Sequence, residues 1–131
     1  MQNSAANAYK NVSKDSMSPR QLEAAVLNRA AAMLKAIQEN WDAPDREEKL
    51  DEALKYNQKL WTVFQADLVD ENCPLPVKLR EDILSLSLFI DRRTFDLLAS
   101  PEREKVIVLI NINQNIAAGL NTVVESESEL A

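Results

Sequence analysis

The 131-residue chain has no histidine, one glycine (Gly119) and one cysteine (Cys73). Each scarcity removes a class of chemistry. Without histidine, the Ser–His and Cys–His arrangements of nucleophilic catalysis are excluded. Zinc is normally held by several Cys or His ligands, so a lone cysteine is not a site, and it allows no internal disulfide. Loops that cradle phosphate need several glycines, which rules out the P-loop and dinucleotide types. The lack of glycine-rich hairpin turns argues against an all-β fold. No strictly apolar run exceeds the five residues of Val106–Ile110, far too few to cross a bilayer. Met1–Lys14 holds no apolar stretch of signal-peptide length. The expected compartment is therefore the cytoplasm.

What is present is ordinary for one globular domain. Hydrophobic residues make up 46% and charged residues 27%, the balance of a folded chain. A chain of this length buries roughly two-thirds of the surface it exposes when unfolded. The net charge is −6, with Glu125, Glu127 and Glu129 supplying half of it. An acidic chain is a poor general binder of nucleic acid or anionic lipid.

Hydrophobic spacing predicts helices throughout. Asn3–Val12 reads as a short helix, with Ala5, Ala8, Tyr9 and Val12 on one side. A second begins at Ser18, where Pro19 suits the first helical position and Gln21 completes a capping box. Its Leu22, Val26, Leu27, Ala30, Met33, Leu34, Ile37 and Trp41 share one face, and it should end near Trp41, before Pro44. A third is expected from a cap at Asp45 to about Asp70, with Leu50, Ala53, Leu54, Leu60, Trp61, Phe64 and Leu68 inward. Asn57 lies within that apolar arc, as a core amide bonded to a neighbour or as a contact to a partner.

Cys73-Pro74-Leu75-Pro76 is a stiff turn, and the Cys73 thiol reads as inert. The helix after it, to about Leu98, carries two apolar strips: Leu79, Ile83, Leu86, Ile90 and Leu97, and, across the wheel, Val77, Leu84, Leu88 and Phe95. Such a helix is central in its bundle or meets a partner with its spare face; the central position is favoured, because a bundle of this size can bury one helix fully. A last helix starts at Ser100-Pro101 and runs to Leu120, with Gly119 near its C-cap. Val106–Ile112 is β-branched enough to suit a buried strand. Helix is preferred because Val106, Leu109, Ile110, Ile116, Ala117 and Leu120 share a face, with Asn113 inside it. Asn121–Ala131 reads as a disordered acidic tail. The fold expected is an all-α, compact bundle of four main helices with a short N-terminal helix, forming one domain over residues 1–120 and a tail over 121–131.

Few candidates for chemistry survive. Glu47, Glu48, Asp51 and Glu52 stack at helical spacing and could in principle hold Mg²⁺. A solvated acidic turn near a helix start is the simpler reading. Lys78, Arg80, Arg92 and Arg93 alternate with Glu81, Asp82, Asp91 and Asp96, which reads as surface charge pairing and not as an RNA site. No cofactor, metal or small-molecule substrate is expected. What remains is apolar helical surface, the kind that docks partner helices.

Several stretches, in order and spacing, resemble the FlaF family, regulators of bacterial flagellin biosynthesis. They are Ala8-Tyr9, Ser18-Pro19-Arg20-Gln21-Leu22-Glu23, Asn57-Gln58-Lys59-Leu60-Trp61-Thr62-Val63-Phe64, Leu75-Pro76 with Leu79-Arg80, and Ile112-Asn113-Gln114-Asn115-Ile116-Ala117-Ala118-Gly119-Leu120. The resemblance reaches from the N-terminus to about Leu120. The family pattern often places a basic residue where this chain has Gln114. The resemblance implies a cytoplasmic, non-enzymatic helper of flagellin synthesis and export that binds flagellin as a secretion chaperone. An alternative is a translational regulator acting on flagellin mRNA, directly or with FlbT. Residues proposed to meet the partner are Trp61, Phe64, Leu84, Leu88 and Phe95, with Asn57 and Asn113 as polar anchors. Each also has a reading as plain core.

Overall fold

The computed structural model describes the backbone of residues 18–130 and the side chains of residues 18–122. The short helix expected over Asn3–Val12 lies outside the described residues. Within them are four helices and no strand: α1 (Pro19–Glu39), α2 (Arg46–Leu68), α3 (Val77–Ala99) and α4 (Arg103–Leu130).

The helix starts follow local chemistry to different degrees. At α1 the capping box forms in full. The Gln21 amide donates to the Ser18 hydroxyl at 3.1 Å, and the Ser18 amide donates to Gln21 Oε1 at 2.9 Å. Two amides that the helix itself cannot satisfy are thereby paired. At α2 the expected cap does not form. Asp45 makes no side-chain cap bond and instead pairs with Lys49 at 3.2 Å. Helix α4 begins at Arg103, two residues beyond the Ser100-Pro101 signal. Val106–Ile112 is helical, because its inward positions pack against the core and no strand is present among the described residues to pair with it.

The helices form a ring in which α1 touches α2 and α4, and α3 touches α2 and α4. Two diagonals remain, α1 across from α3 and α2 across from α4. The closest pairing is α1 with α4. Ala24, Ala30 and Ala31 on α1 and Ala117 on α4 are all buried, and small side chains let two backbones approach. Leu27, Leu34, Leu54, Trp61, Ile90, Leu97, Val106 and Leu109 fill the middle, close to the faces that helical spacing predicts.

Two expectations need correction. The helix after the Cys73 turn is not central. Val77, Leu88 and Phe95 are 61%, 58% and 62% exposed and Leu84 is half-buried. In a ring of four, each helix keeps one outward side, and no described element covers that of α3. The backbone also does not leave the helix at Gly119. It stays helical to Leu130, past the helix end expected at Leu120. Asn121–Leu130 contains neither Pro nor Gly, and extending an existing helix adds a hydrogen bond per residue without a new nucleus.

Candidate functional site

The seven residues proposed from sequence separate into two groups. Asn57, Trp61, Phe64 and Asn113 are buried. They lie on α2 and α4, across the ring diagonal. Leu84, Leu88 and Phe95 lie on α3 and reach the surface. The first group builds the core, and the second is available to a partner.

The buried group is a hydrogen-bonded relay. Trp61 Nε1 donates to Asn113 Oδ1 at 2.9 Å, and Asn113 Nδ2 donates to Asn57 Oδ1 at 2.7 Å. Trp61 and Phe64 pack edge to face with ring centroids 5.6 Å apart. Asn57 Nδ2 has no partner among the described residues. The relay makes register specific, because sliding α4 one residue along its axis would strand three buried polar groups, each at a cost of roughly 1–3 kcal/mol. Sequence reading singled out both asparagines but not the indole N–H that donates to Asn113. The signal was available, since Trp61 follows Asn57 by one helical turn and a buried indole N–H needs an acceptor.

A polar cluster ties the start of α1 to the end of α2. Arg20 pairs with Glu23 at 2.7 Å and reaches Asp67 at 3.5 Å. Burial opposes the Arg20 charge, but Glu23 and Asp67 outweigh it and hold the guanidinium above its usual range. Burial pushes the Glu23 carboxyl up, and the contact with Arg20 offsets only part of that rise.

The exposed group forms a strip. Val77, Leu84, Leu88 and Phe95 are separated by seven, four and seven residues, which places them within an arc of about 40°. At helical rise the strip is about 27 Å long. Phe89 lies to one side, with the Arg93 guanidinium 5.4 Å from its ring centroid. Scattered exposed apolar residues are ordinary; here four share one line of a single helix, Leu84 and Leu88 one turn apart and Val77 and Phe95 two turns beyond them. Of the four acids Glu47, Glu48, Asp51 and Glu52 on α2, Asp51 pairs with Lys55 at 2.8 Å. No described helix is long and apolar enough to cross a membrane.

The fold and these two features define a class: an all-α bundle locked by a polar relay, with one helix apolar toward the outside. The family profile described as Flagellar protein FlaF matches residues 5–120, and the chain belongs to the FlaF family. No curated protein matches the chain, and neither does any solved structure.

Proposed function

We propose that this protein promotes flagellin synthesis and export without catalysis, by binding flagellin in the cytoplasm as a secretion chaperone. The observation that carries the reading is the α3 strip of Leu84, Leu88 and Phe95, apolar and outward in a flagellar-family protein. Unassembled flagellin has amphipathic terminal segments that would otherwise self-associate. An outward apolar helix side accepts such a segment by helix-on-helix packing. The net charge of −6 favours this over direct contact with flagellin mRNA, which would call for a basic face.

Titration calorimetry with purified flagellin tests it. Binding should carry a negative heat-capacity change, as apolar burial requires. Leu88→Asp should weaken it more than tenfold, since a carboxylate would have to be desolvated in the contact. Absence of binding at about 50 μM, equivalent to less than roughly 6 kcal/mol of affinity, would remove the chaperone reading. Retention of flagellin mRNA in a parallel assay would favour the translational one.

A further inference from the structure

The outward strip of α3 is symmetric about its own midpoint. Val77 and Phe95 lie equally far from position 86, and so do Leu84 and Leu88. Laid antiparallel on a second copy of itself, each apolar residue meets another: Val77 opposite Phe95, Leu84 opposite Leu88, and the same again by symmetry. Such an arrangement is isologous, with one surface patch serving both partners.

The flanking charges carry the same symmetry. In an antiparallel pair, each flank of one helix lies beside the same flank of the other. On one flank are Glu81 and Arg92, which come level with each other across the two-fold. On the opposite flank are Arg80 and Asp91, which do the same. All four charges therefore meet an opposite charge. Parallel pairing would set opposite flanks together, Glu81 near Arg80 and Arg92 near Asp91 of the second copy, so the two directions differ in which charges become partners. Glu81 and Arg92 are exposed, and neither takes part in an ion pair among the described residues. Asp91 accepts from Gln65 only at 3.3 Å, and Arg80 donates to the Asp70 carbonyl only at 3.4 Å. These long bonds leave both side chains free to re-pair.

From this complementarity we propose that α3 is a homodimerisation helix, docking antiparallel on α3 of a second copy of this chain. The strip then has a second copy as its occupant, and the antiparallel direction is the one in which Glu81 and Arg92 become partners. Leu84 and Leu88 from the two copies form the centre. Val77 and Phe95 close its two ends, and the Glu81–Arg92 pairs seal one rim. The inference goes beyond flagellin binding but takes the same strip, so a client and a second copy would exclude each other there; the test of the dimer uses this chain alone.

Sedimentation equilibrium of the full chain over about 1–200 μM should show a reversible monomer–dimer equilibrium, the form expected of a closed two-fold contact. Leu88→Asp should give monomer throughout this range with an unchanged helical circular-dichroism spectrum. Glu81→Arg and Arg92→Glu should each weaken the dimer about tenfold at low salt, because each sets like charges across the rim. Combined in one chain, the two reversals should restore association to within about threefold of the parent, as expected when paired charges exchange places. Phe95→Ser should weaken the dimer while leaving unchanged the melting temperature measured at concentrations where the parent is monomeric, which separates docking from folding. Monomer at every concentration would overturn the proposal. So would a dimer indifferent to Leu88→Asp, or a doubly reversed chain no better than its parents, since the latter would mean that the helices do not pair in this direction.

Discussion

Helices α2 and α3 are both 23 residues long, and both carry an apolar stripe, yet they use it in opposite ways. Helix α2 turns most of its large residues inward, Trp61, Phe64 and the three leucines Leu50, Leu54 and Leu68 among them. Helix α3 buries Ile83, Ser87, Ile90, Thr94 and Leu97 and leaves Val77, Leu88 and Phe95 in solvent. Its two buried hydroxyls find no neighbour to bond. Ser87 donates to the Leu84 carbonyl at 2.6 Å and Thr94 to the Ile90 carbonyl at 2.7 Å, both within the helix. Small residues sit where large ones would pack, and large ones sit where polar residues would dissolve. Hydrophobicity of a stripe thus does not decide which way it faces. The number of neighbours the fold supplies decides it, and α3 has neighbours on one side only.

The comparison can be broken most severely at Trp61. Trp61→Ala should cost about 3–5 kcal/mol in urea unfolding, since it opens a cavity and takes away the donor that Asn113 accepts. A loss below about 1 kcal/mol would mean that α2 is no better anchored than α3. Next come the two asparagines. Asn57→Leu and Asn113→Leu should each cost roughly 1–3 kcal/mol, and the double variant should fall well short of their sum, because the second change removes a partner already orphaned. Additive effects would mean that the 2.7 Å bond contributes nothing.

A smaller effect concerns where α1 meets α2. Burial raises the Glu23 carboxyl above its ordinary range. A group whose folded pKa exceeds its unfolded one binds its proton more tightly when folded. Its contribution is present in full below the unfolded value of about 4.3 and is lost as pH rises through the folded value. Stability measured against Glu23→Gln should therefore decline across the pH interval just above the ordinary glutamate range and then level. A rise over that interval would show that Arg20 outweighs desolvation. The smallest effect belongs to the outward strip. Phe95→Ser should change monomer stability by less than about 0.5 kcal/mol, as for any solvated position.

Most of the fold was legible in the sequence because its signals are local. The Ser18–Gln21 box, the proline turn before Val77 and the inward faces of α1, α2 and α4 follow from spacing and side-chain chemistry alone. The family itself was legible in the stretches around Asn57–Phe64 and Ile112–Leu120. The site was legible in part. Asn57 and Asn113 stood out as polar positions in apolar arcs, and a bonded core amide was one reading of Asn57. That Trp61 completes the relay depends on how α2 and α4 approach across the diagonal, which no single-helix pattern contains. The outward turn of α3 was missed for the same reason. Its two strips are equally apolar on a wheel, and only the ring arrangement distinguishes them. The missing Asp45 cap shows the converse, a local preference yielding to a nearby lysine.

The intimate pairing of α1 with α4 joins the first and last described helices, and this bears on how the chain is made. Emerging from the ribosome, α1 presents its alanine and leucine side long before the helix that will cover it has been synthesised. The short connections between successive helices let α2 and α3 gather early, but the ring cannot close until α4 is complete, so the native contacts of widest sequence separation form last. A nascent chain halted before Arg103 should therefore be protease-sensitive along its whole length, and release of the final helix should convert it in a single step.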